Sequence, residues 1–307
     1  MFTILYLITK SNLKLEDLLT MTYKIDAQLE LEHLHLLVQS LETMTDFYKK
    51  LGLQVLQSTP TQVSFSIPGN TKPILVLSTE EGVKIRPPRT TGLFHFAILV
   101  PSRQDLAYVI GNLLNTGIPI TGAGDHIYSE AFYLNDPEGN GIEIYHDRPR
   151  AEWLSDGHGG LITGTEAVDI EGVMALYDRQ RPWTGFPKGT VLGHMHLNVS
   201  NINDATTYFY IDALGFDIMT NFHDSALFMS AGGYHHHIAV NIWQGVGAPV
   251  PAKKTTGLLS YTLSLSSQDE LQKLLANLND KQIPYTFENE QLVVVDNNED
   301  AMIFYVR

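Results

Sequence analysis

"EHLHLLVQSLETMTDFYKKLG", residues 32–52, starts as a short apolar strand and ends as an amphipathic helix. Leu41, Met44, Tyr48 and Leu51 recur at three- and four-residue spacing, which puts them on one helical face. Ser40 suits the N-cap, and Gly52 closes the last turn. The stretch decides the fold because it occurs four times. "FHFAILVPS" (94–102), "GHMHLNVSN" (193–201) and "LSYTLSLSS" (259–267) align with its first nine residues without gaps. A helical pattern follows each of them, and short strand patterns follow each helix, such as "QVLQS", "QVSFSIPG" and "KPILVLS" in the first copy. The repeat is therefore β-α-β-β-β, and a repeat must be found before the fold is read.

The copies begin near 32, 94, 193 and 259. The first two lie 62 residues apart and the last two 66, but the middle pair are 99 apart. The excess, about 147–190, holds "GHGG", prolines and one short helical pattern, "EAVDIEGVMALYD", and reads as a connection. The expected fold class is α+β, with four βαβββ modules paired into two cupped-sheet barrels. The expected division is an N-terminal extension at 1–27, a two-module domain at 28–148, a linker at 149–188 and a second two-module domain at 189–307. A start at Met21 rather than Met1 is the preferred reading of the first residues. Phe2 to Ile8 is too short to span a membrane and lacks the charge order of a signal peptide.

Composition narrows the function. The chain has 307 residues, 44% of them hydrophobic, and a formal net charge of −14. Such a surface repels phosphate backbones and anionic lipid, so neither nucleic acid nor membrane is expected as a partner. With no cysteine, a disulfide framework and a thiolate metal site are excluded, and a cytoplasmic location is expected. Homo-oligomerisation is left open.

The four-unit layout resembles the vicinal oxygen chelate superfamily (glyoxalases, bleomycin resistance proteins and extradiol dioxygenases) over about residues 30–307. It is similar in particular to two-domain extradiol ring-cleavage dioxygenases, the bacterial catechol 2,3-dioxygenases of Bacillus type. "GDHIYSEAFYLNDPEGNGIEIY" (124–145) carries that family's signature at Gly124, His126, Phe132-Tyr133, Asp136-Pro137, Gly139 and Glu143. The residues agree with it: DPEGN is a turn by composition, and Glu143 is a carboxylate on an otherwise apolar strand, costly there unless paired or metal-bound.

The resemblance implies a mononuclear Fe(II) centre, with Mn(II) or another divalent metal as substitute. It is held by two His and one carboxylate, a set that leaves positions free for a substrate. The substrates implied are a small aromatic diol and O₂. The His column across the four first strands reads His33, His95, His194, Ser260, and the carboxylate column gives Glu143 in unit two and Ile303 in unit four. Unit four has neither ligand, so the site cannot lie between units three and four. Two pairings remain: His95 and Glu143 with His33, or His95 and Glu143 with His194. The family's further His on the last strand of the partner unit favours His194, because unit three offers His236 in "YHHHIAVNIW" while unit one has no His there. Strand alternation then turns His235 and His237 to the opposite face. The implied catalytic residues are His236 as acid or base, His126 as hydrogen-bond partner of the bound substrate oxygen, and Tyr133 as donor to developing charge. His33 and His35 could instead be a buried, hydrogen-bonded pair left from duplication. A glyoxalase-type isomerase or lyase and a metal-free binding protein are the alternatives on this scaffold.

Overall fold

The computed structural model describes residues 22–307. The choice between Met1 and Met21 and most of the 1–27 extension lie outside the described residues. Unit one contributes β1 (Glu30–Leu37), α1 (Leu41–Leu51), β2 (Gln54–Ser58), β3 (Gln62–Ser66) and β4 (Leu75–Ser78). Unit two contributes β5 (Gly92–Leu99), α2 (Arg103–Thr116), β6 (Gly122–Asp125), β7 (Ser129–Asn135) and β8 (Gly141–Asp147). After the linker, with its single turn α3 (Ile170–Ala175), unit three gives β9 (Val191–Asn198), α4 (Asp204–Thr207), β10 (Asp217–Phe222), β11 (Ala226–Ser230) and β12 (Ile238–Asn241). Unit four gives β13 (Gly257–Leu265), α5 (Gln268–Asp280), β14 (Tyr285–Glu288), β15 (Gln291–Val295) and β16 (Ala301–Val306).

The helices begin where the sequence says they should. Ser40, Ser102, Asn203 and Ser267 each accept a backbone N–H three residues on, satisfying one of the open donors of the first turn. Gly52 ends α1 at φ 114°, a left-handed conformation that a side chain would resist. The third helix departs from the regular pattern: α4 runs straight into a wide π-type segment, Tyr208–Ala213.

In every unit the first strand pairs parallel with the last: β1 with β4, β5 with β8, β9 with β12 and β13 with β16. The units then join through their first strands, antiparallel: the two middle units with each other, and the first with the last. One eight-stranded sheet runs β14-β15-β16-β13-β1-β4-β3-β2, and the other β10-β11-β12-β9-β5-β8-β7-β6. Unit one therefore shares a sheet with unit four, and unit two with unit three. Each sheet draws one unit from either side of the 149–188 linker, so the spans 28–148 and 189–307 follow the order of the chain rather than the sheets. A single apolar core joins all four units, with Leu34, Phe65, Phe96, Met195, Phe216, Tyr261 and Phe304 buried in it. Burying each such side chain stabilises the fold by roughly 1.5–3 kcal/mol.

The turns before β8 and β16 fasten consecutive units across the two sheets. Tyr48 of α1 donates to Asp136 Oδ2 at 2.8 Å, and Tyr210 donates to Asp296 Oδ2 at the same 2.8 Å. Glu138 accepts from the backbone N–H of Ser40 at 2.8 Å, where the positive end of α1 favours a carboxylate. Asn298 accepts likewise from Ser200 at 2.9 Å. Much of the signature turn is thus structural, and only its flanking strands face the cavity.

Candidate metal centre

The antiparallel join of β5 and β9 builds the centre. It sets Ala97 opposite His194 and His95 opposite His196, while β8 beside it sets Glu143 against Ala97. His95 Nε2 lies 3.0 Å from Glu143 Oε2, His194 Nε2 lies 3.2 Å from the same oxygen, and the two Nε2 atoms are 3.4 Å apart. A metal with bonds of about 2.1 Å at right angles has donor–donor edges of about 3.0 Å, so the spacing of these three atoms fits one face of a divalent-metal polyhedron. His95, Glu143 and His194 are all buried, at 6%, 3% and 1% exposure. Gly193, beside His194, packs against Tyr145, whose hydroxyl a Cβ would strike.

Electrostatics suit such a donor set. Burial alone would raise the Glu143 carboxyl, but the His194 and His95 imidazoles override it and hold Glu143 well below the usual carboxylate range. Burial pushes His194 down to about 4 despite Glu143. A metal needs a neutral imidazole and an ionised carboxylate, and these shifts favour both at His194 and Glu143. Among the described residues His194 Nδ1 is buried with no hydrogen-bond partner, an orphan beside the cluster.

The centre opens into a cavity of about 450 Å³ whose walls include His95, Glu143, His126, Tyr133 and His236. Phe94, Phe222, Phe228 and Trp243 supply aromatic surface, and Thr163 to Thr165 of the linker close one side. His236 packs against His194 at a tilt of 47°, with centroids 4.0 Å apart. Burial holds its imidazole well below the usual range, so it is a neutral base. Tyr133, directly opposite Glu143 in the β7–β8 register, has its phenol pushed well above the usual value by burial and by Glu143. His126 Nδ1 meets the Gly164 carbonyl at 2.9 Å, which can only accept, so a ring with one proton is bare at Nε2 and receives the Tyr133 hydroxyl at 2.6 Å. Ile127 beside it sits at φ 73°, rare for a β-branched residue. Asp125 holds it there by accepting its N–H at 2.8 Å while gripping Arg148 with both oxygens.

The structure therefore gathers His95, Glu143, His194, His236, His126 and Tyr133. It leaves His33 in the other sheet, where its Nε2 faces Thr262 Oγ1 at 3.3 Å. The alternation expected to turn His235 away fails, because β12 starts only at Ile238 and residues 235–237 precede it. His235 instead joins His194 and His236 in a second group of nitrogens that lie within 4.8 Å of one another. His196, which the sequence did not single out, packs its ring against His95 at 4.9 Å, and among the described residues its buried Nε2 has no hydrogen-bond partner. Gly164 and the linker threonines carry no chemical signal that a sequence reading could have used.

A fold of paired βαβββ units and a buried two-His, one-carboxylate cluster define a class. The model of the Glyoxalase/Bleomycin resistance protein/Dioxygenase superfamily matches residues 30–144, and the chain belongs to that superfamily. Within it, the chain is catechol 2,3-dioxygenase-like: it is 46% identical over 245 residues to the catechol-2,3-dioxygenase of Bacillus subtilis (strain 168), covering 79% of this chain and 84% of that protein. Solved structures share the fold at low identity. A protein of Bacillus subtilis subsp. subtilis str. 168 superposes with a TM-score of 0.61 at 14% identity, over 92% of this chain and 86% of its own. Glyoxalase I from Zea mays gives 0.53 at 14% identity, over 90% and 92%. Among the described residues no helix is long and apolar enough to cross a membrane.

Proposed function

We propose that this protein is an extradiol ring-cleavage dioxygenase, opening a small aromatic diol with O₂ at a ferrous centre held by His95, His194 and Glu143. The observation that carries the reading is the triangle of 3.0, 3.2 and 3.4 Å between the three donor atoms. The similarity to a catechol-2,3-dioxygenase supports it. Ferrous iron, when bound, acidifies a ligated hydroxyl and supplies electrons for O₂ chemistry. Two neutral imidazoles and one carboxylate would leave a bound dication with a net charge of +1, a charge that would favour a diol as its anion.

The chain's own groups do the rest. Phe94, Phe228 and Trp243 offer flat apolar faces to an aromatic ring and displace water from it. His236, neutral and on the cavity wall, takes the proton of a diol hydroxyl and later returns it. Tyr133 and His126 act as one unit: His126 Nε2 holds the phenol proton in the free site, and the phenol gives up that hydrogen bond to turn its O–H to negative charge growing on the substrate. Glu143 is the one carboxylate in the clusters formed by the described residues, whereas a glyoxalase-type reaction on this scaffold calls for a second.

Protein loaded anaerobically with Fe(II) should turn catechol yellow on admission of O₂, with a rise in visible absorbance. Iron-replete protein that leaves a panel of catechols and hydroquinones untouched would refute the dioxygenase reading.

A further inference from the structure

Behind His236 runs a hydrogen-bonded chain that the reaction outlined above does not use. His236 Nδ1 lies 2.8 Å from His235 Nδ1, and His235 Nε2 lies 2.9 Å from Asp147 Oδ1. Asp147 ends β8, and its side chain is 19% exposed, while that of His235 is wholly buried. His235 is held flat against Tyr128, with ring centroids 4.4 Å apart and planes 8° from parallel. The Tyr234 hydroxyl donates to Asp147 Oδ2 at 2.8 Å, so both carboxylate oxygens are fixed. Tyr145 lies 2.8 Å from the Tyr234 oxygen and must be the donor there, because the Tyr234 proton is already engaged.

The protons along this chain follow from what each group can do. An ionised carboxylate only accepts, so His235 carries its proton on Nε2. A ring that carries this one proton is bare at Nδ1. Two bare nitrogens at 2.8 Å would repel, so His236 donates from Nδ1 and is bare at Nε2. Among the described residues no protein group meets that Nε2, and the ring lines the cavity. A base that takes a proton from a bound diol needs its lone pair on this nitrogen.

We infer that Asp147 and His235 are positioning residues that lock His236 in the Nδ1–H tautomer and keep its Nε2 bare towards the diol pocket. The inference rests on the reading of His236 as the base, and its test separates the two. In a long-range ¹H–¹⁵N spectrum of full-length, ¹⁵N-histidine-labelled protein, metal-free and zinc-substituted, His236 should be protonated at Nδ1 and bare at Nε2. Its signals are assigned by their loss in H236Q. D147A should mix or invert the tautomers. In the iron-loaded enzyme D147A and D147N should lower kcat by about ten- to a hundredfold, while iron content and KM for catechol stay within about twofold. A proton on His236 Nε2 in the native protein would overturn the inference. So would a D147A protein with native tautomer and kcat, or one that loses iron and KM together, since that marks a merely structural role. If the native enzyme turns over no diol, the dioxygenase reading falls, and the spectrum still decides the lock.

Discussion

The two sheets have the same strand order, yet among the described residues only one gathers side chains that could hold a metal. At the β5–β9 join stand His95, His194 and His196, with Glu143 on β8. At the β1–β13 join the equivalent positions hold His33 and His35 opposite Thr262 and Ser260, and β16 places Ile303 where β8 has Glu143. With no carboxylate to converge on, the imidazoles of unit one turn to hydroxyls: His35 meets Ser78 Oγ at 2.9 Å, and His33 meets Thr262. The anchors that hold the fold are present on both sides, Tyr48 on Asp136 and Tyr210 on Asp296. Scaffold and chemistry are therefore separable here. The turn and the helix that grips it belong to the scaffold, and a few strand positions decide whether a sheet carries chemistry.

The sharpest way to break the comparison is to remove donors from each sheet. E143Q and H194A should each drop bound metal from about one per chain to under about a tenth, with loss of activity beyond about a thousandfold. H33A should keep both, as read by metal analysis and diol turnover. The opposite result for His33 and His194 would move the centre.

A second difference concerns acid. Burial lowers His194 to about 4 and His237 to about 3, and sets His196 and His236 well below their ordinary 6.5. These imidazoles take protons near pH 6.5 when unfolded but resist them when folded. Between about 6.5 and 4 the unfolded chain thus binds more protons, and stability must fall as pH falls. Glu143, depressed in the folded state, adds to the loss below about 4.5. Denaturant unfolding of the metal-free protein at pH 7.5 and 5 should show this slope. H196Q should flatten it more than H33Q, whose imidazole burial lowers less strongly.

The smallest effect sharpens the likeness rather than the difference. Y48F and Y210F each remove one hydroxyl from a buried aspartate, and each should cost about 1–2 kcal/mol in unfolding free energy. Neither should change metal content. Equal losses would confirm that the two anchors are equivalent parts of the scaffold.

Much of this was legible before any coordinates. The fourfold strand–helix pattern announced the units, and Ser40 announced the start of the first helix, because capping is local chemistry. The absence of His and Glu at Ser260 and Ile303 pointed away from unit four. The sheet partnership was less accessible, since β5 meets β9 across the whole linker, and only a single further His favoured that pairing over its rival. His235 was misplaced because alternation holds only inside a strand, and the backbone at 235–237 is not yet one. Gly164 was invisible because a backbone carbonyl has no sequence signature.

The sheets are nested like parentheses, with units two and three enclosed between units one and four. A chain emerging from the ribosome has all strands of the site-bearing sheet once Asn241 is made. Unit one must wait longer: β1 has no antiparallel partner until Gly257–Leu265 exists, and until then its edge is open to wrong pairing. The last fifty or so residues thus serve as a delayed clasp. A chain cut short after unit three keeps every donor of the centre and leaves β1 searching for another strand.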